Sequence, residues 1–194
     1  MTRPVRASGP RGAVLFDRDA TLVVDVPYNG DPALVVPVPG AQEAVAAVRR
    51  AGHGTGVVTN QSGVGDGRIT LEQAHAVNAR VDELVGPIDV WELCPHHRDA
   101  GCACRKPAPG MVLRAAGRLG VDPAHVVVIG DIGADVGAAR AAGATGILVP
   151  TPVTRQEEVD AAEHVAADLA EAVRLALAHL DALSALPSGP GGDR

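Results

Sequence analysis

The chain has 194 residues, 46% of them hydrophobic, and a formal net charge of −6. That length serves one sizeable core and one domain, and the acidic balance argues against a broad basic face for nucleic acid, whose phosphates are bound by counterion release to clustered Lys and Arg. No apolar run reaches the roughly 18 residues that a membrane span requires. Residues 1–11 are basic but lack the apolar stretch of a signal peptide, so a flexible N-terminus and a cytoplasmic location are expected. With one Trp, one Tyr and one Phe, the core has to be built from Ala, Val, Leu and Ile, which suits a buried parallel sheet.

Gly12 to Phe16 is a short apolar run ending on Asp17-Arg18-Asp19, and it reads as a buried strand that delivers carboxylates at its C-terminal edge. Helical spacing follows over Gly40 to Arg50, then a second strand at Gly56-Val57-Val58 that runs into Thr59-Asn60-Gln61-Ser62-Gly63. A helix is expected over Thr70 to Val85, opened by a Thr70/Gln73 capping box, and a strand over Ile88 to Leu93. Pro109 to Leu119 reads as helix, Val126 to Ile129 as a strand ending in Gly130-Asp131, Gly133 to Ala142 as a helix closed by Gly143, and Gly146 to Val149 as a strand. His164 to Ala167 supplies one more strand candidate, and Asp168 with Glu171 starts a last amphipathic helix ending near Leu183. The Pro, Ser and Gly of 186–194 predict a disordered tail. The alternation is βαβα. The fold class is therefore α/β, a doubly wound parallel sheet over 12–185, with all strand C-termini on the one edge where such sheets bind ligands.

Cys94, Cys102 and Cys104 fall within eleven positions, an odd count too crowded for a disulfide framework. With His96 they complete a tetrahedral donor set for a structural Zn2+, and reduced cysteines in a plain loop are the alternative. His97 could replace His96 as the fourth ligand, since spacing alone does not exclude it. A lone lysine such as Lys106 is usually a surface charge, and a solvated acidic turn would explain Asp17-Arg18-Asp19 taken by itself.

The order of the segments points elsewhere. Asp17-Arg18-Asp19-Ala20-Thr21, Thr59-Asn60-Gln61-Ser62-Gly63, Lys106 within Cys104-Arg105-Lys106-Pro107, and Gly130-Asp131-Ile132-Gly133-Ala134-Asp135 resemble, in order, the four motifs of the haloacid dehalogenase (HAD) superfamily phosphatases. The resemblance implies Asp17 as nucleophile, Asp19 as general acid and base, and Thr59 and Lys106 holding the transferring phosphoryl group. It also implies Mg2+ held by Asp17, Asp131 and the main-chain carbonyl of Asp19, with Asp135 beside the metal or Lys106. The chemistry is self-consistent: an aspartate with its ordinary pKa near ~3.9 needs no base to become a nucleophile. Its obstacle is repulsion from a phosphate dianion, on the order of 8 kcal/mol at 4 Å and an effective dielectric of 20, which cations must offset.

Asp25 to Tyr28, the Cys/His loop and Arg105-Lys106-Pro107 further resemble the branch containing the D-glycero-D-manno-heptose 1,7-bisphosphate phosphatases and histidinol-phosphatases. That likeness implies no large cap domain, and a small phosphorylated metabolite contacted by Asp25, Tyr28, Asn60, Gln61, Ser62 and Arg105. A monomer is expected. The chain departs from the branch in three places: Ala20 stands where Gly is usual, Ile132 where the heptose enzymes commonly carry Lys, and the segment between His96 and Cys102 is short. These departures keep a non-catalytic zinc-bearing domain as an alternative. A nucleic-acid end phosphatase is a further alternative that the acidic balance disfavours.

Overall fold

A computed structural model of the chain describes residues 9–185; the expected tail at 186–194, and residues 1–8 of the expected flexible N-terminus, lie outside them. Five strands, β1 (Ala13–Phe16), β2 (Gly54–Asn60), β3 (Val90–Cys94), β4 (Val126–Gly130) and β5 (Thr145–Leu148), pair in parallel in the order β3-β2-β1-β4-β5. The chain winds outward from β1 to β3, then returns to β4 on the other side of β1. This reversal opens a crevice at the C-terminal ends of β1 and β4, the ligand-binding position of open α/β sheets.

Residue alternation along the strands assigns the two helical layers. Val14 and Phe16 point to one side, where they join the buried faces of α1 (Ala41–Arg50), α3 (Leu71–Val85) and α7 (Leu169–Ala185). Ala13 and Leu15 point to the other, against α4 (Gly110–Leu119) and α5 (Gly133–Ala142). Such a two-faced sheet explains strands that are apolar throughout rather than alternating. Gly56 sits at the crowded middle: a Cβ there would lie 2.5 Å from Leu15 Cδ2 and 2.7 Å from Val90 Cγ1.

The expected capping box is formed, with Gln73 N–H donating to Thr70 Oγ1 at 3.1 Å and Thr70 N–H to Gln73 Oε1 at 2.8 Å. Gly143 closes α5 in the left-handed region. Three expectations shift. The second strand, expected at Gly56 to Val58, runs from Gly54 to Asn60 and so takes in Thr59 and Asn60. The third strand starts later and runs on to Cys94, because Leu93 and Cys94 find partners in Thr59 and Asn60 of β2. His164 to Ala167 makes a single bridge, Val165 to Leu148, rather than a strand. Asp168 already caps the next helix there, accepting from Glu171 N–H at 2.8 Å. The short helices α2 (Ser62–Gly65) and α6 (Gln156–Ala161) were not legible in the periodicity, being too brief to show it. Among the described residues no large cap domain stands over the sheet edge, and no helix is long and apolar enough to cross a membrane.

Candidate active site

The β1–β4 ladder continues one residue past β1, through the Asp17 N–H to the Ile129 carbonyl at 2.8 Å. It therefore sets Asp17 at the floor of the crevice, beside Asp131 at the end of β4. Asp17, Asp131 and Asp135 each place a carboxylate oxygen within 4.8 Å of the others, and all three are buried. Lys106, 3% exposed, reaches between them. Its Nζ lies 2.8 Å from Asp17 Oδ1 and 2.5 Å from Asp135 Oδ1, and donates to the Val58 carbonyl at 2.7 Å. Asp135 also accepts from Ile132 N–H at 3.2 Å, which fixes the start of α5. Gly130 makes this approach possible, since a Cβ there would come within 2.2 Å of the Asp135 carboxyl carbon.

Burial changes the charge state expected from sequence. It pushes the Asp17 carboxyl up to about 8; Lys106 opposes this, and Asp135 and Asp19 add to it. Asp131 is raised to about 7, by burial first and Asp135 second. Burial also works against the Lys106 ammonium, but Asp135 and Asp17 outweigh it and hold the lysine protonated beyond its ordinary range. Asp17 is thus not ionised at neutral pH merely by being an aspartate; in the metal-free site it needs more positive charge than Lys106 provides.

Asp19 stands apart from this cluster. Arg18 grips it through Nε to Oδ1 and Nη2 to Oδ2, both at 3.0 Å, and Gln61 Nε2 donates to Oδ2 at 2.8 Å. Gln61 Nε2 also donates to Thr59 Oγ1 at 2.9 Å, so Thr59, 1% exposed, is tied in the same chain. The Asn60 amide is occupied on both sides by Lys106, accepting its backbone N–H at 3.0 Å and donating to its carbonyl at 3.3 Å. Asn60 and Gln61, expected as substrate contacts, are thus placed where they brace Lys106 and Asp19.

Asp17, Arg18, Asp19, Asn60, Gln61, Lys106 and Asp131 line a cleft of ≈ 380 Å³, together with Asp25, Tyr28, Ser62, Arg98, Arg105, Ile132 and Val153, whereas Thr59 and Asp135 are buried behind that lining. Arg68 stacks over the Tyr28 ring, 4.3 Å from its centroid. Arg105 Nη1 is buried with no hydrogen-bond partner among the described residues. Arg98 and Val153 belong to no motif and were missed; a cation two residues after a metal-ligand candidate was the available signal for Arg98.

Ala20 has φ 59, a left-handed backbone that costs a non-glycine residue about 1–2 kcal/mol. The unfolded chain gains roughly 0.4–1 kcal/mol of entropy when Gly replaces Ala. Ala20→Gly is therefore expected to leave thermal stability unchanged or raise it by up to about 1.6 kcal/mol. A clear loss of stability in a thermal melt would show that the methyl group packs to some purpose.

The Cys/His loop is compact. Cys104 Sγ lies 3.2 Å from Cys94 Sγ, 3.4 Å from Cys102 Sγ and 3.1 Å from His96 Nδ1; Cys94 Sγ lies 3.6 Å from Cys102 Sγ and 3.5 Å from His96 Nδ1. A tetrahedral zinc with bonds of about 2.0–2.3 Å has ligand–ligand edges of about 3.4–3.8 Å, so these donors fit with shifts of a few tenths of an ångström. No disulfide joins the three thiols. Of the two histidines, His96 is in the cluster. His97 turns away to accept from Asp99 N–H at 3.1 Å and to face Asp66 at 3.4 Å. Arg105 and Lys106 follow Cys104 directly, so the loop fixes the approach of both cations to the cleft.

Residues 103–172 match the family described as HAD-hydrolase-like, a segment that includes Lys106, Asp131 and Asp135. The D-glycero-beta-D-manno-heptose-1,7-bisphosphate 7-phosphatase of Pseudomonas aeruginosa is 37% identical over 146 residues, covering 73% of this chain and 82% of that protein. The enzyme of the same name from Yersinia pestis is 35% identical over 173 residues, covering 82% and 92%. Among solved structures, the D,D-heptose 1,7-bisphosphate phosphatase of B. bronchiseptica, complexed with magnesium and phosphate, superposes with a TM-score of 0.75 at 30% identity, covering 86% of this chain and 98% of that one.

Proposed function

The chain belongs to the HAD-like hydrolases, alongside the heptose-bisphosphate phosphatases, and from that premise we propose that it hydrolyses a phosphomonoester of a sugar bisphosphate, with D-glycero-D-manno-heptose 1,7-bisphosphate as the leading substrate. The observation that carries the reading is the meeting of Asp17, Asp131 and Asp135 around Lys106 in one buried pocket at the sheet edge. Burial of three carboxylates with one ammonium is costly without further cations. A site for a divalent ion and a phosphate explains why they are there.

Asp17 Oδ attacks phosphorus, and Asp19 gives a proton to the departing sugar oxygen. Asp19 then takes a proton from the water that cleaves the aspartyl-phosphate. Lys106 neutralises the phosphoryl oxygens, and Thr59 is positioned with Gln61 beneath them. Asp17 and Asp131, with the main-chain carbonyl of Asp19, would hold Mg2+. The ion supplies positive charge against the repulsion between phosphate and the carboxylates. Asp135 serves Lys106, which it contacts directly. Arg105, with a free buried N–H, is suited to an anionic group of the substrate.

Cys94, His96, Cys102 and Cys104 would hold Zn2+ in a closed, structural site, so its chemistry is to fix the loop that carries Arg105 and Lys106. Cys102→Ser is expected to lower bound zinc, measured by elemental analysis, and to lower the melting temperature. Unchanged zinc content, or no zinc in the parent protein, would remove this assignment.

The raised carboxyls make stability depend on pH. A carboxyl whose folded pKa lies above its unfolded value of 3.8 contributes stability that is complete below that value and is lost as pH rises through the folded pKa. For Asp131 and Asp17 the loss extends to about 7 and about 8. The melting temperature of metal-free protein is expected to fall as pH is raised across that window, and Mg2+ is expected to raise it more at the alkaline end. A magnesium effect that is equal across the window, or larger in acid, contradicts the assignment of these ligands.

The function itself is tested by phosphate release from sugar monophosphates, sugar bisphosphates and histidinol phosphate, with and without Mg2+. Magnesium-dependent turnover that favours a sugar bisphosphate supports the reading. Absence of release from every phosphomonoester with Mg2+ present overturns it.

A further inference from the structure

Arg18 is among the largest fully buried side chains of the protein, at 1% exposure. Burial of a guanidinium is tolerated only where its N–H groups find partners. Two of them hold Asp19 in a parallel fork. A third, Nη1–H, donates to Asn78 Oδ1 at 2.8 Å, a bond between residues sixty positions apart. Asn78 belongs to none of the motifs. It lies on α3, within the buried stripe made by Ala74, Val77, Val81 and Val85, where an apolar residue would be expected. It is itself 5% exposed.

We infer that Asn78 is a positioning residue for the reaction: by anchoring the far side of the Arg18 guanidinium, it fixes the fork that aims the Asp19 carboxyl. Arg18 has only two side-chain partners among the described residues, Asp19 and Asn78, on different edges of its plane. The amide on α3 therefore determines the rotation of the fork. Asp19, by contrast, sits outside the strands and helices, just before the left-handed residue Ala20. Without Asn78 the guanidinium keeps its carboxylate but loses its fixed orientation, and the acid is aimed less well. A group misaligned by about 1 Å can lose roughly 10²-fold in rate.

The inference rests on the proposed role of Asp19, and the test separates the two. In the first half-reaction the bond from Asp17 Oδ to phosphorus forms, the bond from phosphorus to the leaving oxygen breaks, and that oxygen takes the proton carried by Asp19. An alkyl phosphate needs that proton, because an alkoxide is a poor leaving group. p-Nitrophenyl phosphate does not, because the phenolate leaves unaided. kcat/KM reports only steps through leaving-group departure, so the ratio of kcat/KM on p-nitrophenyl phosphate to that on a sugar phosphate reads the acid directly.

With Asp19→Asn, that ratio is expected to rise by about 10²-fold or more, within the range of general acid catalysis. With Asn78→Ala it is expected to rise about tenfold, part of the same effect. Asn78→Asp keeps the size of the side chain and draws Arg18 away from Asp19 with a competing carboxylate; the ratio is expected to rise here too. This second variant covers the case in which the alanine protein does not fold. An unchanged ratio in folded Asn78 variants overturns the inference if Asp19→Asn shows the rise. An unchanged ratio in Asp19→Asn overturns the acid assignment, and the inference with it. A merely structural role for Asn78 would lower both substrates alike and leave the ratio where it was.

Discussion

Asp17→Asn is expected to lower phosphate release by roughly 10⁴-fold or more, the scale on which loss of a covalent nucleophile reads in enzymes whose residues act as a unit. The amide is nearly the same shape but has no electron pair basic enough to form the acyl-phosphate. The fold is expected to stay intact or become firmer. The Arg18 N–H, now 2.7 Å from Asp17 Oδ1, can donate to the amide oxygen instead, and Lys106 retains Asp135 and the Val58 carbonyl. A carboxyl that burial and two neighbouring carboxylates oppose is replaced by a neutral group. The check is a phosphate-release assay beside a thermal melt. A folded variant that turns over normally would require a different nucleophile and would refute the role given to Asp17.

Lys106→Met carries the largest expected structural penalty. Removing one partner from a buried ion pair costs about 3–5 kcal/mol, because the charge left behind is uncompensated. Here two carboxylates would be left, Asp17 and Asp135, both within contact of the lost ammonium. The size of the effect should depend on pH. In acid Asp17 is protonated with or without the lysine and the loss shrinks; it grows as pH rises through about 8, where Asp17 ionises beside the ammonium, and is complete only at the higher pH where Asp17 ionises without it. Turnover should fall by roughly 10²–10³-fold, as for removal of one preorganised group that stabilises transition-state charge. Denaturant melts at pH values either side of that range test the first statement. Equal losses at both would mean that Lys106 supports the fold through packing of its stem rather than through charge.

The sheet was largely legible from local chemistry. Short apolar runs that end in Asp17, Thr59 and Asp131 read as strands buried on both faces, and the helices between them announce their ends through Thr70/Gln73 and Gly143. The catalytic candidates were legible because covalent chemistry on phosphate needs particular groups at strand ends, and strand ends are visible. Ala20 was legible as a departure, and its φ of 59 shows that the backbone there keeps the shape for which glycine is suited.

What the sequence by itself determined is the set of groups and the edge on which they gather: a carboxylate after each of β1 and β4, a lysine following a thiol-rich loop, and four donors spaced for zinc. Periodicity and motif spacing are local properties, and they survive being read in one dimension. What only the tertiary structure decided are the pairings across that edge. It chose His96 over His97, because only one ring turns inward. Asn60 and Gln61 became braces for Lys106 and Asp19, and Arg18 became a buried fork held by an asparagine on a distant helix. It also raised Asp17 to about 8. Desolvation and charge–charge coupling depend on which atoms are neighbours in space, and no spacing along the chain encodes that distance.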